Sequence, residues 1–128
     1  VIMNKMKILV VDDEPDVVSV IGHALSGEGF EVLRAYDGIS ALDMVETERP
    51  DLVLLDIMMP MMSGYEVCEQ LKANPTTQQI PVVCLSSAHN PSARAQILKV
   101  GAASYVEKPF LPAELVVQIR RLLNINEA

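Results

Sequence analysis

Basic residues are scarce in this 128-residue sequence, which has 10 lysines and arginines against 17 aspartates and glutamates. The resulting net charge of −7 does not favour nonspecific binding to nucleic acid or to an anionic membrane surface. Long apolar runs are also lacking, since none approaches the roughly 20 residues of a membrane-spanning helix and the N-terminus has no signal-peptide core. We therefore expect a cytoplasmic protein that binds neither membranes nor nucleic acid directly.

Cysteine is scarce as well. Cys68 and Cys84 lie in apolar surroundings, without a CxxC motif or a nearby histidine. Zinc binding and redox chemistry usually need such neighbours. We therefore expect both cysteines to be buried free thiols.

Length and composition favour one domain. Half of the residues are apolar and 21% are charged, a balance typical of globular chains. We interpret residues 1–128 as a single domain, because this length leaves no room for a second core. Because Val1 and Ile2 precede Met3, we take about residues 1–6 as an N-terminal extension or cloning remnant. The same feature leaves open whether the chain stands alone or was cut from a longer protein.

Apolar runs alternate with helical patterns along the chain. The runs at 7–11, 31–35, 52–55, 81–85 and 104–107 predict strands, and helix-spaced apolar residues begin near 15, 39, 65, 91 and 111. Parallel strands need crossover helices, and right-handed crossovers place those helices on both faces of the sheet. We predict a doubly wound α/β domain with a parallel sheet of five strands and with five helices.

Side chains with functional chemistry follow the strands of this predicted sheet. In such sheets the functional crevice lies beyond the carboxyl ends of the strands. Three carboxylates meeting there would repel one another unless a cation lay among them, and hard oxygen ligands suit Mg²⁺. The candidates are Asp12 and Asp13 after the first strand, Asp56 after the third, Ser86 and Ser87 after the fourth, and Lys108 after the fifth.

Most of these residues also have a purely structural interpretation. Asp12 and Asp13 could cap the helix that begins at Pro15, and Ser87 could cap the fourth helix. Lys108 alone could be an ordinary surface lysine. Asp56 is harder to explain in this way, because a carboxylate directly after four buried apolar residues is costly unless it is paired or liganded.

The ordered set resembles the receiver domains of two-component response regulators over nearly the whole chain. The resemblance is carried by Asp12-Asp13, by Asp56 within the stretch from Leu54 to Gly64, by Ser86 thirty residues after Asp56, and by Lys108-Pro109-Phe110. It implies the flavodoxin-like strand order 2-1-3-4-5. It also implies a phosphoryl switch, in which Asp56 receives the group from a phosphohistidine on a sensor histidine kinase or a phosphotransfer protein.

The resemblance also implies residue roles. Asp13, Asp56 and the backbone carbonyl of Met58 would bind Mg²⁺, with Asp12 acting through a metal-bound water, and Lys108 would pair with Asp56 and then with the phosphoryl group. Ser86 would then hydrogen-bond a phosphoryl oxygen, and Tyr105 would fill the space it leaves. Ser87 is a second hydroxyl beside Ser86, although the spacing favours Ser86 as the switch residue. Such a domain assists only its own phosphorylation and dephosphorylation and is not otherwise an enzyme.

The signal would be read on the fourth helix, the fifth strand and the fifth helix, here called the readout face. The recipient is either a separate protein or a fused output domain, and the sequence does not name it. A phosphorylation-dependent homodimer is a further expectation. In one DNA-binding subfamily two acids usually precede the tyrosine of the fifth strand and help dimerisation. Here Ala103 and Ser104 precede Tyr105, which weakens the assignment to that subfamily without excluding it.

Three rival functions remain. A phosphatase-like hydrolase also forms an aspartyl-phosphate, but its aspartate usually lies in a DxD motif on the first strand, with further acids for turnover. A flavodoxin-like nucleotide-binding domain needs a loop rich in glycine, serine or threonine after that strand, whereas this chain has Asp12, Asp13 and Glu14 there. A degenerate receiver would signal without phosphate.

Overall fold

The computed structural model describes residues 5–87 and 91–124. Strands and helices alternate throughout these residues. In chain order they are β1 (Lys7–Val11), α1 (Pro15–Gly27), β2 (Glu31–Ala35), α2 (Gly38–Glu48), β3 (Leu52–Asp56), α3 (Gly64–Ala73), β4 (Val82–Ser86), α4 (Pro91–Lys99), β5 (Ser104–Glu107) and α5 (Pro112–Leu122). The strands form one parallel sheet in the order β2-β1-β3-β4-β5, which confirms the predicted α/β fold and strand order.

Alternation of side chains along the strands divides the core into two layers. Leu9 and Val11 of β1 pack in the layer that contains residues of α2, α3 and α4. Ile8 and Val10 pack in the opposite layer, which contains residues of α1 and α5. All five residues of β3 are buried because this strand lies at the centre of the sheet. Both cysteines are buried and free, as expected.

Two strand ends differ from the sequence prediction by one residue. β3 includes Asp56 and β4 includes Ser86, whereas both residues were expected just beyond the strands. The parallel ladder continues at this edge, because the Ile57 amide donates to the Leu85 carbonyl oxygen at 3.1 Å. Asp56 and Ser86 are therefore held by the sheet rather than by flexible loops. No helix in the described part of the chain is long and apolar enough to cross a bilayer.

Gly64, at the start of α3, lies against the backbone that carries Asp56. A Cβ atom there would overlap the Asp56 backbone oxygen and lie 2.8 Å from the Ile57 Cα. We expect Gly64→Ala to lower the free energy of unfolding by about 2 kcal/mol in urea denaturation, because the backbone must shift. Gly27→Ala is the matched control, since nothing lies within 4 Å of that Cβ position. Equal stability of the two variants would contradict the prediction.

Candidate functional site

Three carboxylates meet where the central strands end. Asp12 and Asp13 follow β1, and Asp56 ends the neighbouring strand β3. One oxygen from each carboxylate lies within 4.8 Å of the others. Asp12 is 0% exposed and Asp56 is 3% exposed, whereas Asp13 faces solvent. The structure therefore brings together all three carboxylates that the sequence predicted.

The buried Asp12 has a partner for each of its carboxylate oxygens. Oδ1 accepts a hydrogen bond from the Glu14 amide at 3.0 Å, and Oδ2 accepts one from Lys108 Nζ at 3.2 Å. Glu14 is the N-cap residue of α1, and its own side chain makes no capping hydrogen bond. Helix capping alone therefore does not account for Asp12, because its carboxylate is also bound to Lys108, which follows β5.

Lys108 directly follows β5, and its side chain contacts two of the three carboxylates. Its Nζ lies 3.1 Å from Asp56 Oδ1, in addition to the contact with Asp12. Its backbone amide donates to the Ser86 carbonyl oxygen at 2.8 Å, which ties the end of β5 to the end of β4. The sheet therefore holds the Lys108 backbone where its ammonium reaches the carboxylates. Lys108 is not an ordinary surface lysine.

The site contains more negative than positive charge. Desolvation and the neighbouring Asp12 raise the pKa of Asp56 above its ordinary value, although Lys108 opposes this effect. Burial would lower the pKa of Lys108, but attraction to Asp56 and Asp12 outweighs it and raises that pKa. Three carboxylates and one ammonium carry a formal charge of −2. This donor set suits a small divalent cation with oxygen ligands.

The remaining predicted residues lie around this cluster. Ser86 is buried at the end of β4. The Met58 backbone is among the groups that oppose the rise in the pKa of Asp56, while the Met58 side chain is 68% exposed. Tyr105 on β5 is partly buried against the core layer of α2, α3 and α4. Met58 thus lies two residues beyond Asp56 near the cluster, and the two switch candidates lie on the neighbouring strands β4 and β5.

Sequence reasoning missed two features near the site. An apolar cleft of about 590 Å³ lies beside Lys108, with Val17, Val20 and Phe110 in its lining. Val17 and Val20 flank the buried stripe of α1, so a wider apolar face was the available signal. The second feature is a contact between Arg94 and Tyr105, which join α4 to β5. No local pattern pointed to it, because the contact depends on how the helix packs on the sheet.

The fold and the site together define a receiver-type α/β domain, in which clustered acids and a lysine share the carboxyl edge of the sheet. Residues 8–120 match the response regulator receiver domain family, and the chain belongs to this family. It is accordingly a signalling domain of two-component phosphorelay systems. The resemblance inferred from the sequence is confirmed.

Known proteins similar to this chain include regulators and isolated receiver domains. A probable transcriptional regulator ycf27 of Cyanophora paradoxa is 43% identical over 125 residues, which cover 98% of this chain and 51% of that protein. Response regulator MprA of Mycobacterium avium is 42% identical over 118 residues, which cover 92% and 51%. The chain therefore spans about half the length of these relatives.

Solved structures show the same fold. Chemotaxis protein CheY4 of Vibrio cholerae matches with a TM-score of 0.88 and 29% identity over 93% of this chain and 99% of that one. The receiver domain of a sensor histidine kinase from Pseudomonas aeruginosa matches with a TM-score of 0.87 and 30% identity, covering 94% and 99%. That structure is described with a magnesium ion coordinated in the active site cleft.

Proposed function

We propose that Asp56 is the phosphoacceptor of this receiver domain. The observation that carries the proposal is its position: Asp56 ends the central strand β3, is buried, and lies 3.1 Å from the Lys108 ammonium within the carboxylate cluster. Asp12 is a poorer nucleophile, because both of its oxygens already accept hydrogen bonds. Asp13 is exposed and is free to bind a cation that approaches from solvent.

The proposed reaction moves a phosphoryl group from nitrogen to oxygen. A carboxylate oxygen of Asp56 forms a bond to phosphorus while the bond to the donor histidine breaks, and the leaving imidazole takes up a proton. Both reactants are anionic, so catalysis rests on position and on charge neutralisation. Lys108 supplies one positive charge, first to Asp56 and then to a phosphoryl oxygen. The domain would assist only its own phosphorylation and dephosphorylation.

We propose Mg²⁺ as the cofactor. Asp13, Asp56 and the Met58 carbonyl oxygen would bind it directly, and Asp12 would act through a bound water. The cation would neutralise the charge that builds up between Asp56 and the incoming phosphoryl group. The donor set supports this proposal, since the cluster is all oxygen and carries an excess of negative charge. The related Pseudomonas aeruginosa receiver structure with magnesium supports it as well.

Mg²⁺ should stabilise the folded chain. Mg²⁺ at about ten times its Kd adds about 1.4 kcal/mol, because it binds only the folded state. Thermal denaturation with and without millimolar Mg²⁺ measures this. We expect Asp13→Asn to remove most of the Mg²⁺-dependent rise in Tm. Asp16→Asn is the matched control, because Asp16 lies in the first turn of α1 and is not in the cluster. A full Mg²⁺ response in Asp13→Asn would count against the assigned ligands.

The proposed output is a change in packing at Ser86 and Tyr105. Ser86 would turn toward the phosphoryl group, Tyr105 would move into the space left behind, and the readout face would change its affinity for a partner. The phosphoryl donor would be a sensor histidine kinase or phosphotransfer protein. The recipient would be a downstream protein or a fused output domain, and some relatives that are about twice as long are called transcriptional regulators. A phosphorylation-dependent homodimer on this face is part of the same proposal.

The direct test is intact mass after incubation with acetyl phosphate, with Mg²⁺ or with EDTA. We expect one phosphoryl adduct that requires Mg²⁺. Rapid multiple turnover of phosphoesters would instead support a phosphatase-like hydrolase. The absence of both an adduct and beryllofluoride binding would support a degenerate receiver.

A further inference from the structure

Arg94 on α4 contacts two residues of β5 at once. Its guanidinium carbon lies 5.5 Å from the centroid of the Tyr105 ring. Its Nη2 forms an ion pair with Glu107 Oε1. Tyr105 and Glu107 are two residues apart on one strand, so their side chains point to the same face of the sheet. One arginine therefore covers the ring and is itself held in place by the carboxylate.

The sheet connects this contact to the proposed phosphorylation site. Tyr105 pairs with Cys84 and Glu107 pairs with Ser86 in the register of β4 and β5. The next residue, Lys108, donates its amide to the Ser86 carbonyl oxygen and reaches Asp56 with its ammonium. Arg94 is thus held by Glu107, which pairs with the switch serine Ser86 across the two strands. It also stacks on the switch tyrosine, Tyr105.

We propose that Arg94 is a positioning residue that holds the Tyr105 ring in its half-buried position and opposes full burial of the ring. This inference rests on the proposed function, in which phosphorylation of Asp56 drives Tyr105 inward. Half of the Arg94 side chain is exposed to solvent. The guanidinium cannot follow the ring into the core, because burying an arginine away from water is costly. Inward movement of Tyr105 must therefore break the contact between the ring and Arg94.

Loss of Arg94 should lower the free-energy cost of moving the Tyr105 ring inward. Beryllofluoride, with Mg²⁺, stands in for the phosphoryl group on Asp56, and its affinity includes the cost of rearranging Tyr105. We expect Arg94→Met to bind beryllofluoride about two- to fivefold more tightly than the wild type, the range given by an exposed cation–π contact. Arg94→Lys should lie between the two, since lysine keeps the charge and stacks less well. Simple electrostatics predicts the opposite sign, because removing a cation weakens the binding of an anion.

The chain contains a matched control. Arg120 forms an ion pair with Glu28 at 3.0 Å and stacks over Phe30 at 5.8 Å, so it makes the same two kinds of contact. None of these three residues belongs to the proposed switch. Arg120→Met should leave beryllofluoride affinity unchanged, although it removes one positive charge from the same protein. A similar change in both arginine variants would show that the effect does not depend on the contact with Tyr105, and it would overturn the inference.

A second variant tests whether Arg94 acts through the ring. In a Tyr105→Leu background, Arg94→Met should no longer change beryllofluoride affinity, because leucine has no aromatic face. Calorimetric titration of the four proteins completes the cycle, and thermal denaturation verifies that each is folded. Unchanged or weaker binding by Arg94→Met, or an equal effect in the leucine background, would overturn the proposal. If the wild type binds no beryllofluoride and forms no adduct, the proposed function itself fails and this inference falls with it.

Discussion

Asp56→Asn is expected to abolish the phosphoryl adduct that the wild type forms with acetyl phosphate and Mg²⁺. Asparagine has nearly the same shape, but its neutral amide is not an anionic nucleophile and binds a divalent cation poorly. Asp37→Asn is the matched control. Asp37 also follows a strand at this edge of the sheet, but it caps α2 by accepting from the Ser40 amide at 2.7 Å. Intact mass should show the adduct in Asp37→Asn and none in Asp56→Asn.

Loss of the adduct in Asp56→Asn should not be a consequence of unfolding. The folded-state pKa of Asp56 is raised above 3.8, so the carboxyl binds its proton more tightly in the folded state than in the unfolded state. Its contribution to stability therefore falls as pH rises from 3.8 through the raised pKa. At neutral pH without Mg²⁺, Asp56→Asn should be at least as stable as the wild type. An adduct that persists in this folded variant would show that another side chain is the acceptor.

Lys108→Met should impair both stability and phosphorylation. Asp12 and Asp56 share the Lys108 ammonium at 3.2 and 3.1 Å, and both carboxylates are buried. Without it, two neighbouring acids lose their common counter-charge. We expect the free energy of unfolding at neutral pH to fall by about 2 kcal/mol, which is below the value for a fully buried pair because Lys108 is partly exposed. Urea denaturation in EDTA measures this loss.

Mg²⁺ provides the discriminating comparison for Lys108. A bound cation takes over part of the missing positive charge, so Mg²⁺ should restore more stability to Lys108→Met than it adds to the wild type. Lys99→Met, in the last turn of α4, is the matched control and should respond to Mg²⁺ like the wild type. The adduct should form much more slowly in Lys108→Met, because this variant lacks the ammonium that, together with Mg²⁺, neutralises the phosphoryl oxygens. A Mg²⁺ response and an adduct rate equal to those of the wild type would contradict the assigned role.

The fold could be predicted because its signals are local. The central strands are continuous apolar runs, as strands covered on both faces require, and each run is followed by a helical pattern. The candidate acids were found for a related reason. A carboxylate such as Asp56 at the end of a buried strand needs a partner or a ligand. The predicted ends of β3 and β4 were one residue too early. Ladder bonds such as that from Ile57 to Leu85 join segments far apart in sequence, so a local pattern does not show where the ladder stops.

The sequence determined the alternating fold, the edge of the sheet where function collects, and the residue types placed there, because hydrophobic periodicity and strand ends are properties of short segments. The tertiary structure buries Asp12 with both of its oxygens paired and leaves Asp13 facing solvent. It alone placed Arg94 over Tyr105 and against Glu107. These contacts depend on how a helix packs on a sheet and on which of two adjacent side chains turns inward. Both depend on contacts between segments far apart in the sequence, so no local pattern encodes them.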